Sequence, residues 1–145
     1  MAFFGVFGGN REARACFEER AAYLFAPALH FSIDGKVAFC HDEAKTLEEL
    51  ARNARFLFVA SASPTNVVLG RDRLALLYRR YGKRLRRYIP CPSSFALYDA
   101  RGGFLLLGGT HGVKCFAEEL SGAILFSSDP YLLRAPTPLD LALLK

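Results

Sequence analysis

Ser94-Phe95-Ala96-Leu97-Tyr98-Asp99, Ala100-Arg101-Gly102-Gly103 and Phe104-Leu105-Leu106-Leu107 form one continuous stretch of the chain. The outer segments are aromatic and aliphatic runs with high β propensity. The glycine-containing middle punctuates them as the turn of a hairpin. A second pair follows: Val113–Ala117 and Ala123–Phe126, read as strands turning around Glu118–Gly122. Two successive hairpins with few polar interruptions call for an apolar layer to cover them.

Upstream, helical and strand signals alternate. Gly70–Tyr81 reads as a helix, with Gly82 where the left-handed terminating residue belongs. Arg55–Ala60 is β-prone, and Ser61-Ala62-Ser63-Pro64-Thr65-Asn66 is a loop cluster. Thr46–Ala54 reads as a helix, with Thr46 and Glu49 spaced as a capping box. Leu29–Ile33 and Lys36–Cys40 flank Asp34-Gly35, a two-residue type I′ hairpin signal. Asn10 is placed to cap a helix from Arg11 to about Phe25, stopped by Pro27. Phe3–Phe7, bounded by Gly8-Gly9, reads as a buried strand. Pro130–Arg134 is read as a short helix, and the tail from Ala135 carries Leu139, Leu141 and Leu143 for docking on a partner or on the chain's own surface. Periodicity alone therefore gives an α+β class. Two antiparallel sheets packed face to face would use the 13 Phe residues, because both inner faces must be filled.

The 145 residues, 52% hydrophobic, are expected to form one domain with a substantial core. No apolar run approaches the roughly 20 residues that span a bilayer. The leading apolar residues lack the basic start and cleavage site of a signal peptide, so a cytoplasmic protein is expected. Cys16, Cys40, Cys91 and Cys115 form no C-x-x-C pair and read as reduced thiols. Cys40-His41-Asp42 reads as incidental, and His30, His41 and His111 are too scattered for a triad or a metal centre. No metal and no cofactor are expected, and nothing matches a P-loop or dinucleotide fingerprint.

Several blocks carry a family likeness. Met1-Ala2-Phe3-Phe4-Gly5-Val6-Phe7-Gly8-Gly9 resembles an edited M-C-G-I-x-G-V-F-G. Leu77-Tyr78-Arg79-Arg80-Tyr81-Gly82 resembles L-Y-x-x-x-G, and Ser94–Asp99 resembles F-A-F-A-L-W/Y-D. Leu105–Leu107 with His111–Phe116 resembles L-L-L-A-R-D-R-F-G-I-K-P-L-Y, and Ala123–Asp129 resembles L-L-F-A-S-E. In order and near-spacing these are similar to the class II glutamine amidotransferase domain of the asparagine synthetase family. The likeness is specific over residues 68–134 and weaker over 10–67. It implies an N-terminal-nucleophile hydrolase fold, a four-layer α-β-β-α sandwich of two antiparallel sheets, here trimmed. Residues 1–134 would be the degenerate domain and 135–145 a C-terminal tail.

The departures fall on the parts that do chemistry. The family's nucleophile is a cysteine behind the initiator Met, and this position holds Ala2, whose methyl cannot form an acyl intermediate. Phe3 replaces the following glycine, and the H-R-G-P-D arginine has no counterpart. The oxyanion-hole Asn-Gly maps either to Asp34-Gly35 or to Ala60-Ser61. An Asp carboxylate would repel the oxyanion that an amide should stabilise. The substrate-holding acidic segment leaves only Asp72, out of register, and R-D in the later loop has become Gly108-Gly109, read as turn glycines. The remnant cleft would thus comprise Ala2, Phe3, Asp34, Gly35, Ala60, Ser61 and Asp72. In the family pattern His111 takes an aromatic position, which implies a packing role. The S-G-G-x-D-S loop of the family's ATP-binding module is absent from the sequence.

Charge is unevenly placed. Residues 71–87 carry eight basic residues and one acid, and the rest of the chain is slightly acidic. Arg79, Arg80, Lys83, Arg84, Arg86 and Arg87 are candidates for contact with an acidic partner, with Arg79, Lys83 and Arg86 or Arg87 on one helix face. No nucleic-acid-binding motif accompanies them, so nucleic acid is disfavoured. The expectation is a catalytically inactive, glutaminase-like protein. It would bind or brace a separately encoded asparagine-synthetase-like, ATP-dependent amide-forming enzyme. The alternatives are a stand-alone binder of a small molecule or acidic peptide in the remnant cleft, and a hydrolase whose nucleophile is exposed by internal cleavage at Cys91, Ser61 or Thr110. Oligomeric state is not set by the sequence.

Overall fold

The computed structural model describes residues 2–24, 30–31, 34–41, 51–52, 56–60, 78–88 and 92–145. In chain order the strands are β1 (Phe3–Gly8), β2 (His30–Phe31), β3 (Val37–His41), β4 (Ala51–Arg52), β5 (Phe56–Ala60), β6 (Ser93–Asp99), β7 (Phe104–Thr110), β8 (Cys115–Leu120), β9 (Ala123–Ser127), β10 (Thr137–Leu139) and β11 (Leu141–Leu144). Helix α1 spans Arg11–Leu24, and short 3-10 helices cover Gly82–Tyr88 and Pro130–Leu132. One sheet has the order β10-β8-β9-β1-β3-β2 and the other β11-β7-β6-β5-β4, with every pairing antiparallel.

Strand alternation sorts the side chains into layers. Phe3, Phe7, Val37, Phe39 and Phe126 of the first sheet meet Ala96, Tyr98, Leu105 and Leu107 of the second. On the opposite face of the first sheet, Phe4, Val6, Ala38, Cys40, Ala123 and Leu125 meet Ala13, Phe17 and Ala21 of α1. β1 is thus buried on both faces, which explains its unbroken apolar run. Each fully buried Phe contributes roughly 1.5–3 kcal/mol relative to exposure. Beyond the second sheet, the Tyr78 ring lies 6.1 Å from that of Phe104, and Leu85 is fully buried.

α1 begins as expected, with the Asn10 side chain accepting from Ala13 N at 3.0 Å. Arg14 then clamps the hairpin end, donating to the carbonyls of Gly8 (3.3 Å), Gly35 (2.7 Å) and Lys36 (2.7 Å). Both sequence hairpins form, but the second turns later than expected. Glu118 and Glu119 stay paired in β8, and the turn is Ser121-Gly122, both with positive φ (49° and 77°). The reason is electrostatic and local. The Glu118 carboxylate accepts from Arg20 at 2.7 Å and from the N–H groups of Arg134 and Ala135 at 3.2 and 3.0 Å, so it belongs to a strand facing α1 and the tail.

The helix expected over Thr46–Ala54 is overturned at 51–52, where the chain pairs with Phe58 and Leu57 as an edge strand. A local capping pattern yields here to sheet pairing; the rest of that span lies outside the described residues, as do 70–77 of the expected Gly70–Tyr81 helix. Its end is where the glycine placed it. The helical turn of 78–81 stops at Gly82 (φ 56°), but the chain then continues as a 3-10 helix. The tail from Ala135 lies on the chain's own surface: β10 pairs with β8 and β11 with β7, so it adds an edge strand to each sheet.

Candidate functional site

Register fixes which sequence candidates share an end of the sandwich. Phe3 pairs with His41, and Phe7 with Val37. The Asp34-Gly35 turn therefore lies beside Phe7 and Gly8, five residues along β1 from Phe3, or about 17 Å at strand rise. At that end Tyr98 Oη donates to Asp34 Oδ2 at 2.5 Å, and the rings of Phe7 and Tyr98 are 5.9 Å apart. Burial and the carboxylate beside it push the Tyr98 phenol well above its usual range. Asp34 and Gly35 are thus a structural hairpin and do not converge with Ala2.

The other end gathers Ala2 and the buried hydroxyls. Phe3 N donates to Ser128 Oγ at 2.9 Å, and Ser127 Oγ donates to Phe3 O at 2.7 Å. Cys115 Sγ points at Ser127 O at 3.4 Å. The adjoining Lys114 carbonyl accepts a short hydrogen bond from Ser94 Oγ. Ser94 is paired with Gly109, and the neighbouring Phe95 with Ala60. Of the two positions weighed for the oxyanion segment, the structure brings Ala60 to the Ala2 end. Ser61 and Asp72 lie outside the described residues.

Among the described residues, the buried hydroxyls at this end are committed to the backbone. Ser93 Oγ donates to Ser94 O at 2.9 Å, and Thr110 Oγ1 accepts from Ser93 N at 3.0 Å. Ser127 Oγ also accepts from Asp129 N at 3.0 Å. The buried thiols of Cys40 and Cys115 are no more available as nucleophiles. Burial pushes both Cys40 and Cys115 up to about 12. Among the described residues, no group of three His, Cys, Asp or Glu side chains is placed to hold a metal ion.

Gly108 and Gly109 are not turn glycines. They lie within β7, and their requirement is space. A Cβ at Gly108 would sit 2.6 Å from the Asp140 carbonyl oxygen, and one at Gly109 only 1.7 Å from that of Val113. The 113–114 segment and the β10–β11 corner both cross against bare backbone here, and Gly109 N donates to Asp140 O at 3.0 Å. His111, expected to pack, is exposed with φ 53° in the following turn. The register of that turn, with Val113 N donating to Thr110 O at 3.1 Å, overrides the aromatic pattern.

The basic stripe does not keep helical spacing, because α-helical geometry ends at Gly82. Arg79, Arg80, Arg84 and Arg87 are exposed and Arg86 is half-buried; nothing is described of the Lys83 side chain. The Tyr81 and Tyr88 rings stack at 4.1 Å, and the Arg80 guanidinium lies 5.5 Å from the Tyr81 centroid. Arg86 Nη1 donates to Asp140 O at 3.3 Å. Beside it opens a groove of about 480 Å³, lined by Arg86, Arg87, Gly109, Thr110, His111, Gly112, Val113 and Asp140. Sequence reasoning singled out the arginines but not this groove, since nothing in the sequence places Asp140 or the 110–113 turn beside them.

No protein-family model and no curated protein matches the chain. Among solved structures it is similar to a glutamine phosphoribosylpyrophosphate (PRPP) amidotransferase from B. subtilis, complexed with ADP and GMP. The TM-score is 0.61 at 12% identity, over 98% of this chain and 45% of that one. The chain thus spans less than half the length of that neighbour. At this identity the likeness is one of fold alone, in keeping with the two antiparallel sheets described above.

Proposed function

We propose that this is a non-catalytic, glutaminase-like protein of the cytoplasm that binds or braces a protein partner. The partner is, in first place, an asparagine-synthetase-like, ATP-dependent amide-forming enzyme encoded separately. The observation that carries the reading is Ala2 at the head of β1. Its side chain is a methyl, and the hydroxyls and thiols described around it are held by backbone groups. The likeness to an amidotransferase over nearly the whole chain supports the descent of the fold from a glutaminase. α1 on one outer face, and the 78–88 segment against the other, support a trimmed α-β-β-α sandwich.

The exposed Arg79, Arg80, Arg84 and Arg87 supply the surface for an acidic partner. A charged face of this kind accelerates encounter and makes affinity fall with salt. A small-molecule binder using the remnant cleft is less well supported, because Asp34 and Gly35 sit at the far end of β1. An unconventional hydrolase using Thr110 would need its hydroxyl freed first from Ser93, while Ser61 and Cys91 lie outside the described residues.

Two measurements test the proposal together. Purified protein is expected to release no ammonia from glutamine, and co-purification from the native host is expected to recover a synthetase-like enzyme. Ammonia release abolished by a thiol-blocking reagent, or co-purification without any such enzyme, would refute it.

A further inference from the structure

We propose that the groove between the 82–88 helix and the 110–113 turn is a binding site for a phosphate-class oxyanion, with Arg86 and Arg87 as its cationic wall. The groove holds about 480 Å³, within the size class of small-molecule sites, about 300–1,000 Å³. Among the described lining residues Val113 is the one apolar side chain, so these offer an apolar ligand little to bury against. Its charge is set by two guanidiniums and the Asp140 carboxylate. Lys114 Nζ engages that carboxylate at 3.1 Å, which leaves the arginines as the unbalanced charge among the described lining residues.

Geometry favours a multidentate anion. Arg86 is oriented by one bond to the Asp140 carbonyl, and a guanidinium has five N–H donors in a planar fork. The opposite wall is a turn whose Gly112 has φ 83° and open space where a side chain would project. A lone carboxylate offers two oxygens and one charge. A phosphate-class anion offers more of both, enough to span two guanidiniums with charge-assisted hydrogen bonds. The inference goes beyond the partner-binding role: it shares Arg87 with that surface but requires no partner.

The test titrates inorganic pyrophosphate into the full chain by calorimetry at about 0.1 M salt, where diffuse surface attraction is largely screened. Saturable one-to-one binding is expected. Arg87→Gln is expected to weaken it at least about tenfold, and Arg79→Gln, outside the groove, less than about twofold. Glutarate, a dianion of separated carboxylates, is expected to bind at least about tenfold more weakly than pyrophosphate. In the unaltered protein the Thr110 and Gly112 amide resonances should shift along the same saturation curve. Each of the following overturns the proposal: no saturable binding, equal losses in Arg79→Gln and Arg87→Gln, equal affinity for glutarate, or unmoved amides. A failure here beside a recovered synthetase-like partner removes the anion site alone; binding here without a partner removes the partner role alone.

Discussion

Gly109→Ala tests the packing that closes the Ala2 end. The new Cβ would lie 1.7 Å from the Val113 carbonyl oxygen, 2.5 Å from its carbon and 3.1 Å from Lys114 Cα. Reaching the 3.4 Å of ordinary contact requires a retreat of about 1.7 Å, and the obstacles are backbone. That retreat pulls the Lys114 carbonyl from Ser94 Oγ and strains the bond from Val113 N to Thr110 O. Overpacking costs about 1–3 kcal/mol. Stranding a buried polar group adds about 1–3 kcal/mol. The expected loss is about 2–6 kcal/mol, a large share of the roughly 5–15 kcal/mol that stabilises a domain. Urea unfolding followed by tyrosine fluorescence or circular dichroism measures it; there is no Trp to interfere. Gly112→Ala is the internal control. Its Cβ meets nothing within 4 Å, and only the φ of 83° resists it, at about 1–2 kcal/mol. If Gly109→Ala loses less than about 1 kcal/mol, or less than the control, the crossing is not packed as argued.

Four further outcomes follow from the same geometry. In Glu118→Gln the ion pair with Arg20 is lost and stability falls by about 1–2 kcal/mol at pH 7. Burial pulls the Glu118 carboxyl up, but Arg20 and the two N–H donors outweigh it and hold it below the usual range. The wild-type advantage is therefore full above about pH 4.3, the ordinary Glu value, and fades as pH falls through the lower folded value; an advantage constant down to pH 2 would contradict this. Tyr98→Phe costs about 1–2 kcal/mol at neutral pH. With the folded phenol raised, wild type should lose its advantage over the variant as pH rises above about 10, seen in paired melts. At pH 8 a thiol-disulfide reagent should modify half-exposed Cys16 while Cys40 and Cys115 stay protected until unfolding, since a thiol at about 12 is only about one part in ten thousand ionised. Ala2→Cys should restore no glutaminase activity in an ammonia-release assay; measurable turnover would show that a substrate pocket persists.

The fold was legible where local signals and tertiary needs agree. Asn10, Gly82 and the Gly102-Gly103 turn mark element ends through backbone chemistry that any fold would respect. The Phe abundance pointed to two facing sheets, but not to the further buried face that β1 turns with Phe4 toward α1, opposite Phe3 and Phe7. Ala51-Arg52 was misread because helix-capping spacing is local, whereas pairing with β5 is decided by a partner strand. Glu118 was placed in a turn because the sequence does not show that Arg20, 98 residues away, would neutralise it. The geometry of the candidate site was opaque in the sequence. Ala2 can be read from one position. That Asp34 points to Tyr98, and that Arg86 meets Asp140, depends on sheet register and on the tail's return.

On the proposed reading, the Gly108-Gly109 pair and Ala2 are coupled changes. With Arg and Asp at 108 and 109, as the resembled family carries, two Cβ atoms would meet carbonyl oxygens at 2.6 and 1.7 Å. The present course of the 113–114 segment and of the β10–β11 corner is open only to a chain without side chains there. Glycines admit those carbonyls, Gly109 N bonds one of them, and Ser94 ties down the next. The Ala2 end is thereby packed with backbone on the second sheet's side, where a glutaminase would need charged side chains and room for substrate. A cysteine restored at position 2 alone would face that packing unchanged, and one restored together with Arg-Asp at 108–109 would first have to displace the tail. On the proposed reading, the combined variant should lose the β11 edge strand, visible as exchange of the Leu141–Leu144 amides that pair with β7, before it gains any activity. Retention of protected amides there would show that the glycines and the tail are independent, and would separate the missing nucleophile from the closed end.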